Sequence, residues 1–247
     1  QNFNLFQIFS HSLKFKGNIM VKTIFFIIEL IGVVAFAVSG AMKAIIKKLD
    51  ILGVLVLAMF TALGGGLMRD IILGINPPNM FVNQEYYWFE LTDILVAVII
   101  FVWVYIRAKK GKKISDVNSN FLLNVTDAVG VAVFCVFGTK IAIEQGFSDK
   151  PVLLVFVGVI SGVGGGMLRD ILAGEIPAIL RKYVYALPAF CGVILYILLL
   201  KIMPDLLAVI ISVSFITAFR TLAIIFKWNL PSIKNLEISE EQKTDKK

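Results

Sequence analysis

Seven stretches of the chain are continuously apolar, at roughly Ile24–Ala41, Ile51–Leu73, Leu91–Ile106, Phe121–Ile143, Val152–Ala173, Tyr183–Leu200 and Leu206–Phe226. Each is near the length of about 20 residues that crosses a bilayer as a helix. The alternating apolar and polar positions of a membrane strand are absent, so the pattern predicts helices and not a barrel. Polar residues punctuate the segments. Lys43, Lys47, Lys48 and Asp50 follow the first, and Pro77, Pro78, Asn79 and Asn83 follow the second. The run from Arg107 to Lys113 follows the third, and Pro151 and Pro204 open later segments, where the missing amide proton is no loss. The aromatic cluster Tyr86, Tyr87, Trp88 and Phe89 reads as an interfacial belt.

The second and fifth segments carry one string twice. Residues 61–77 read TALGGGLMRDIILGINP and residues 161–177 read SGVGGGMLRDILAGEIP, identical at eight of 17 positions at an offset of 100. Upstream, Gly32, Phe36, Val38 and Gly40 match Gly130, Phe134, Val136 and Gly138 at an offset of 98. Each copy therefore holds three apolar segments. An odd number of crossings turns the second copy upside down, the inverted repeat of many transport proteins, with the site at the repeat interface. The predicted fold class is an all-α membrane protein of seven transmembrane helices, an inverted 3+3 repeat plus one C-terminal helix. Residues 1–21 are expected to be an N-terminal extension, added or disordered. Residues 22–113 form repeat one, 114–203 repeat two, 204–230 the seventh helix and 231–247 a disordered cytoplasmic tail.

Composition agrees. The chain is 58% hydrophobic and only 17% charged, against about 25% charged in soluble domains. The net charge of +7 sits at segment ends, which argues for topology and against a nucleic-acid partner. One side collects 12 Lys and Arg, among them Lys43, Lys47, Lys48, Arg107 and Lys234, and the other collects 6. This bias predicts an external N-terminus and a cytoplasmic C-terminus. Cys135 and Cys191 lie inside apolar segments and the single His11 lies outside them, so no zinc or histidine centre is expected. The Gly-Gly…Arg-Asp string is reminiscent of a nucleotidyltransferase signature, but it is flanked by apolar helix and lacks a following acidic pair. No catalytic residue, cofactor or tightly bound metal is expected, and the chain reads as a non-enzyme.

Three consecutive glycines weaken a helix by about 1 kcal/mol each relative to alanine. Gly64 lies about 13 residues, roughly 20 Å, into its segment, and Gly164 lies equally deep from the opposite face. One reading is a helix broken at Gly64, Gly65 and Gly66 and again at Gly164, Gly165 and Gly166. The carbonyls of residues 58–62 and 158–162 would then face a pore, with the matched hydroxyls of Thr61 and Ser161 on a passing cation. The other reading is close helix packing on small residues. Arg69, Asp70, Arg169 and Asp170 follow the glycines, and with Lys43 and Arg220 they read as a charged vestibule or gate, or as structural ion pairs. Glu29 and Asp127 match at offset 98 and read as carboxylates near helix starts that suit the helix dipole. No acidic residue stands out at mid-helix as an ion-coupling group, which favours a channel over a carrier.

The duplicated GGGxxRD, the three-plus-three-plus-one count and the length resemble the prokaryotic branch of the trimeric intracellular cation (TRIC) channels, over about residues 22–230. The resemblance implies a homotrimer in which each subunit holds its own potassium-permeable pore, between helices two and five kinked at Gly64–Gly66 and Gly164–Gly166. It leaves small residues such as Gly130 and Gly138 for close packing between subunits. The expected partners are further copies of the chain, membrane lipids and monovalent cations, with K+ or Na+ permeating. The alternatives are a secondary transporter of a small solute such as an amino acid, and a structural or lipid-handling membrane protein.

Overall fold

The computed structural model describes residues 5–82, 84–110, 119–181, 185–226 and 228. Each expected apolar segment contains a helix, and no strand occurs among the described residues. Helix α1 spans Leu5–Ile46, α2 Ile51–Leu73, α3 Asn79–Val82 and α4 Gln84–Lys109. Helix α5 spans Ser119–Ala142, α6 Pro151–Leu172, α7 Ala178–Arg181, α8 Ala186–Leu199 and α9 Asp205–Ile225. One wider turn, Ile143–Phe147, contains Gly146 with φ 90° and links α5 to α6.

Among the described residues six helices are long and apolar enough to cross a membrane, while α8 has 14 residues. The first of the six runs from Met20 to Ile46. Residues 5–19, set aside on the sequence, continue that same helix toward the N-terminus. The expected tail at 231–247 and the basic residues Lys112, Lys113, Lys227 and Lys234 lie outside the described residues.

The inverted repeat is visible in the contacts. Within repeat one, α1 packs on α2 and α4 on both; within repeat two, α5 packs on α6 and α8 on both. Between repeats, like meets like: α1 against α5 and α2 against α6. The extra helix α9 lies on α5 and α8. Phe36 and its partner by repeat, Phe134, stack on each other with ring centroids 5.3 Å apart, as residues on a two-fold axis must.

Helix ends repeat as well. Gly74 and Gly174 have φ of 73° and 69°, a left-handed conformation that glycine adopts without strain. The amides of Ile75 and Glu175 then reach back to the carbonyls of Asp70 and Asp170, both at 2.9 Å, closing each helix with a Schellman turn. At its other end α2 is capped by Asp50, whose side chain accepts from the Gly53 amide at 2.8 Å.

Two expectations are corrected here. Gly130 and Gly138 are not free for packing between subunits. A methyl group on Gly130 would meet the Phe36 ring at 2.3 Å, and one on Gly138 would meet Ser161 Cβ at 2.4 Å. They are filled from inside the chain. In the aromatic cluster, Tyr87 and Trp88 are exposed but Phe89 is buried and stacks on Phe26 at 5.1 Å.

A triglycine crossing and its charged ends

Helices α2 and α6 run through both triglycines without a break. The expected helix breaks and freed carbonyls are therefore absent. Unpaired backbone in hydrocarbon costs several kcal/mol per group, more than the roughly 1 kcal/mol by which each glycine weakens a helix, so the helix persists. What the glycines permit is contact. A Cβ on Gly65 would lie 2.0 Å from the carbonyl oxygen of Ser161, and one on Gly165 would lie 2.1 Å from that of Thr61. The two helices touch backbone to backbone, reciprocally, on the repeat axis. Thr61 and Ser161 are both fully buried. The Thr61 hydroxyl donates to Leu57 O within its own helix at 2.5 Å, and Ser161 Oγ has no hydrogen-bond partner.

The Arg-Asp pairs follow the crossing on both sides, all four side chains buried. Arg69 Nε donates to Asp70 Oδ1 at 2.8 Å, and Arg169 Nε to Asp170 Oδ1 at 3.0 Å. The second oxygen of each Asp accepts the first amide of a short helix, from Asn79 in α3 and Ala178 in α7, both at 2.8 Å. Each Asp thus neutralises an arginine and anchors the chain where it turns back.

At the α6 end the pair grows into a network. Asp127 of α5 accepts from Arg169 Nη1 and from Arg220 Nη2, both at 2.7 Å, and from the Tyr185 hydroxyl at 2.6 Å. Arg169 Nη1 also donates to Ser39 of α1 at 2.5 Å. The Arg220 guanidinium lies 3.8 Å over the Tyr185 ring. Asp127 therefore joins α5, α6 and α9 at one point. A carboxylate beside two arginines meets their charge directly; Arg169 also has Asp170 at 3.0 Å, whereas Arg220 without Asp127 would lose its carboxylate in a buried site. A cavity of about 30 Å³ lies here, lined by Lys43, Asp127, Arg169, Tyr185 and Arg220 among others, room for one water or two.

Lys43 Nζ bonds Glu175 at 2.7 Å and stands 3.7 Å from Asp170, while Lys47 bonds Glu175 at 2.9 Å. Hydrogen bonds from these two lysines hold the Glu175 carboxyl well below its usual range, at about 2. A depressed carboxyl adds stability above its unfolded value, and that stability is lost as pH falls through the folded one. Glu175→Gln is therefore expected to lower stability by about 0.2–1 kcal/mol at neutral pH, as for a partly exposed pair. The difference from wild type should vanish by about pH 2. Melting curves of both proteins over that range check it.

The α2 end is arranged differently. A cavity of about 20 Å³ is lined by Glu29, Gly66, Arg69, Asp70 and Phe89. Glu29 and Phe89 also line a wider cavity of about 690 Å³ with Lys22, Phe25, Trp88, Lys140 and Glu144. Lys140 is paired with Glu144 and with Asp205, and Asp205 also accepts from Tyr196 at 2.8 Å.

Of the residues singled out on the sequence, the glycines with Thr61 and Ser161 form the crossing, and Lys43, Arg169, Asp170 and Arg220 gather at one end. Arg69 and Asp70 stand at the other. Sequence reasoning missed Asp127, Tyr185 and Glu175 as members of the site. The match of Asp127 to Glu29 was the available signal, and it was read as a dipole effect. Asp93 and Asp127, both inside spans, are buried.

These features define an all-helical membrane protein with an inverted repeat crossing at paired triglycines. A family model described as glycine transporter matches residues 26–106 and 124–201, one block in each repeat. The membrane protein YvgT of Bacillus subtilis (strain 168), a UPF0126 protein, is 31% identical over 206 residues, covering 83% of this chain and 95% of its own. A structure described as the basis for conductance through TRIC cation channels is 38% identical with a TM-score of 0.71, over 83% of this chain and 95% of its own. The TRIC orthologue from Rhodobacter sphaeroides is 30% identical with a TM-score of 0.72, over 83% and 98%. The chain belongs to this family, as a prokaryotic TRIC member.

Proposed function

We propose that the chain conducts monovalent cations, potassium favoured, as a homotrimer in which each subunit has its own pore along the α2–α6 crossing. The supporting observation is the reciprocal contact of Gly65 and Gly165 with the facing backbone, with a small cavity and an Arg-Asp pair at either end. In this conformation the route is shut, because backbone atoms fill the crossing. Opening requires α2 and α6 to separate there, which would expose carbonyls to a passing ion without unwinding either helix. The similarity to structures described as cation channels supports the same reading. On the charge bias the Lys43 end faces the cytoplasm. Single-channel recording on purified protein in planar bilayers should show discrete steps, with a reversal potential that favours potassium over sodium.

A second reading has its own support. The matching family model is described as glycine transporter, and inverted repeats serve carriers as readily as channels. Reconstituted vesicles distinguish the two. Saturable glycine uptake without resolved current steps would replace the channel reading by a carrier.

A further inference from the structure

Asp93 takes part in neither charged network. It lies in α4 within the span Tyr87–Ile106, is 1% exposed, and neither of its carboxylate oxygens has a hydrogen-bond partner. The other buried acids among the described residues all have a cation: Asp70 has Arg69, Asp170 has Arg169, and Asp127 has Arg169 and Arg220.

Position explains the isolation. Phe89 and Ala97, one helical turn to either side of Asp93, are both buried, so Asp93 lies on the face that α4 packs against α1 and α2. Phe89 belongs to an apolar cluster with Ala62 and Leu63, and Ala97 to one with Leu57 and Ala58. The charged groups on the packed helices point elsewhere. Glu29 of α1 and Arg69 and Asp70 of α2 line the small cavity beside Phe89. Lys22 lines the wide cavity, Lys43 is held by Glu175, and α3 carries no titratable side chain. Glu90, on α4 itself, is half-buried.

An ionised carboxyl without a partner in such surroundings is strongly disfavoured, and the group neutralises instead. Among the described residues no cation pairs with it, so the neutralising species is a proton. We propose that Asp93 is a proton-binding site, neutral while α4 is packed against α1 and α2. When it releases the proton to water, the charge left behind weakens that packing. Phe89 is one turn away and borders both cavities at the α2 end, so the segment loosened at high pH is the one that closes that end.

The sign follows from linkage. The packed state keeps a proton that the unfolded chain gives up at lower pH, so the stability Asp93 contributes is full in acid and lost as pH rises. Melting of the full chain in detergent, wild type against Asp93→Asn, tests this from about pH 4 to about pH 9, a range that spans ordinary carboxyl titration. The two proteins should melt together in acid, with the wild type falling progressively below the variant toward alkali. Parallel curves, or a variant that is the less stable at neutral pH, would overturn the proposal. Should the variant fail to accumulate, the wild type itself answers. A lipid-soluble carbodiimide attacks protonated carboxyls, so it should modify Asp93, located by peptide mass mapping. Its rate should fall about tenfold per pH unit once the group titrates. No modification at Asp93, or a rate indifferent to pH, would equally overturn it.

Discussion

Gly65→Ala and Gly165→Ala are each expected to destabilise the protein by about 1–3 kcal/mol or more, the range for overpacking a tight interior. The added methyl would meet a carbonyl oxygen at 2.0 or 2.1 Å. That oxygen belongs to backbone, which cannot rotate away as a side chain does. The neighbouring glycines grade the effect. At Gly64 and Gly164 the nearest atoms are Leu168 Cδ1 at 2.6 Å and Met68 Sδ at 2.7 Å, both ends of flexible side chains, so alanine there should be milder. At Gly66 the nearest atom is Arg69 Nη2 at 3.6 Å, an ordinary contact. Gly66→Ala should therefore be neutral or stabilising by up to about 1 kcal/mol, through helix propensity. Melting temperatures in detergent should fall in that order, with about 2–4 °C for each kcal/mol in a chain of this size. If Gly65→Ala and Gly66→Ala melt alike, the close crossing is not a feature of the molecule in solution.

The difference between three adjacent glycines was not legible in the sequence, where they form one motif. Periodicity and offset located the helices, the repeat and its inversion, because those depend on runs of apolar residues and on parity. They also brought out Arg69, Asp70, Arg169 and Asp170, since charges deep in apolar runs are conspicuous. What they did not carry was direction. A glycine run can unwind a helix or admit a neighbour. The choice depends on what stands opposite, here the carbonyls of Thr61 and Ser161, in the other repeat. The same limit hid Asp127. Near a helix start a carboxylate has a sufficient local explanation, and its three partners come from the ends of α6 and α8 and from α9. Phe89 shows it on a smaller scale, since helical rotation turns it inward while Tyr87 and Trp88 face out.

The largest loss is expected at Asp127. Asp127→Ala leaves Arg169 with Asp170 as its remaining acid and deprives Arg220 of its carboxylate in a site where it is 3% exposed. Breaking a buried pair by removing one partner destabilises by about 3–5 kcal/mol, because the orphaned charge stays desolvated. The penalty should therefore be relieved by removing that charge. Arg220→Met alone should be the milder change, because Asp127 keeps Arg169 at 2.7 Å and the Tyr185 hydroxyl at 2.6 Å. The double variant should lie closer to wild type than the sum of the singles, by about 0.5–3 kcal/mol, as for directly coupled residues. Chemical denaturation of the four proteins gives the coupling. The same set bears on function. Asp127 and Arg220 tie α9 to α5 over the small cavity at the α6 end, so Arg220→Met should unlatch that end and raise the frequency of opening. If the energies are additive, Asp127 and Arg220 act independently. If the coupling is present but opening is unchanged, the network holds the fold and the gate lies at the glycine crossing itself.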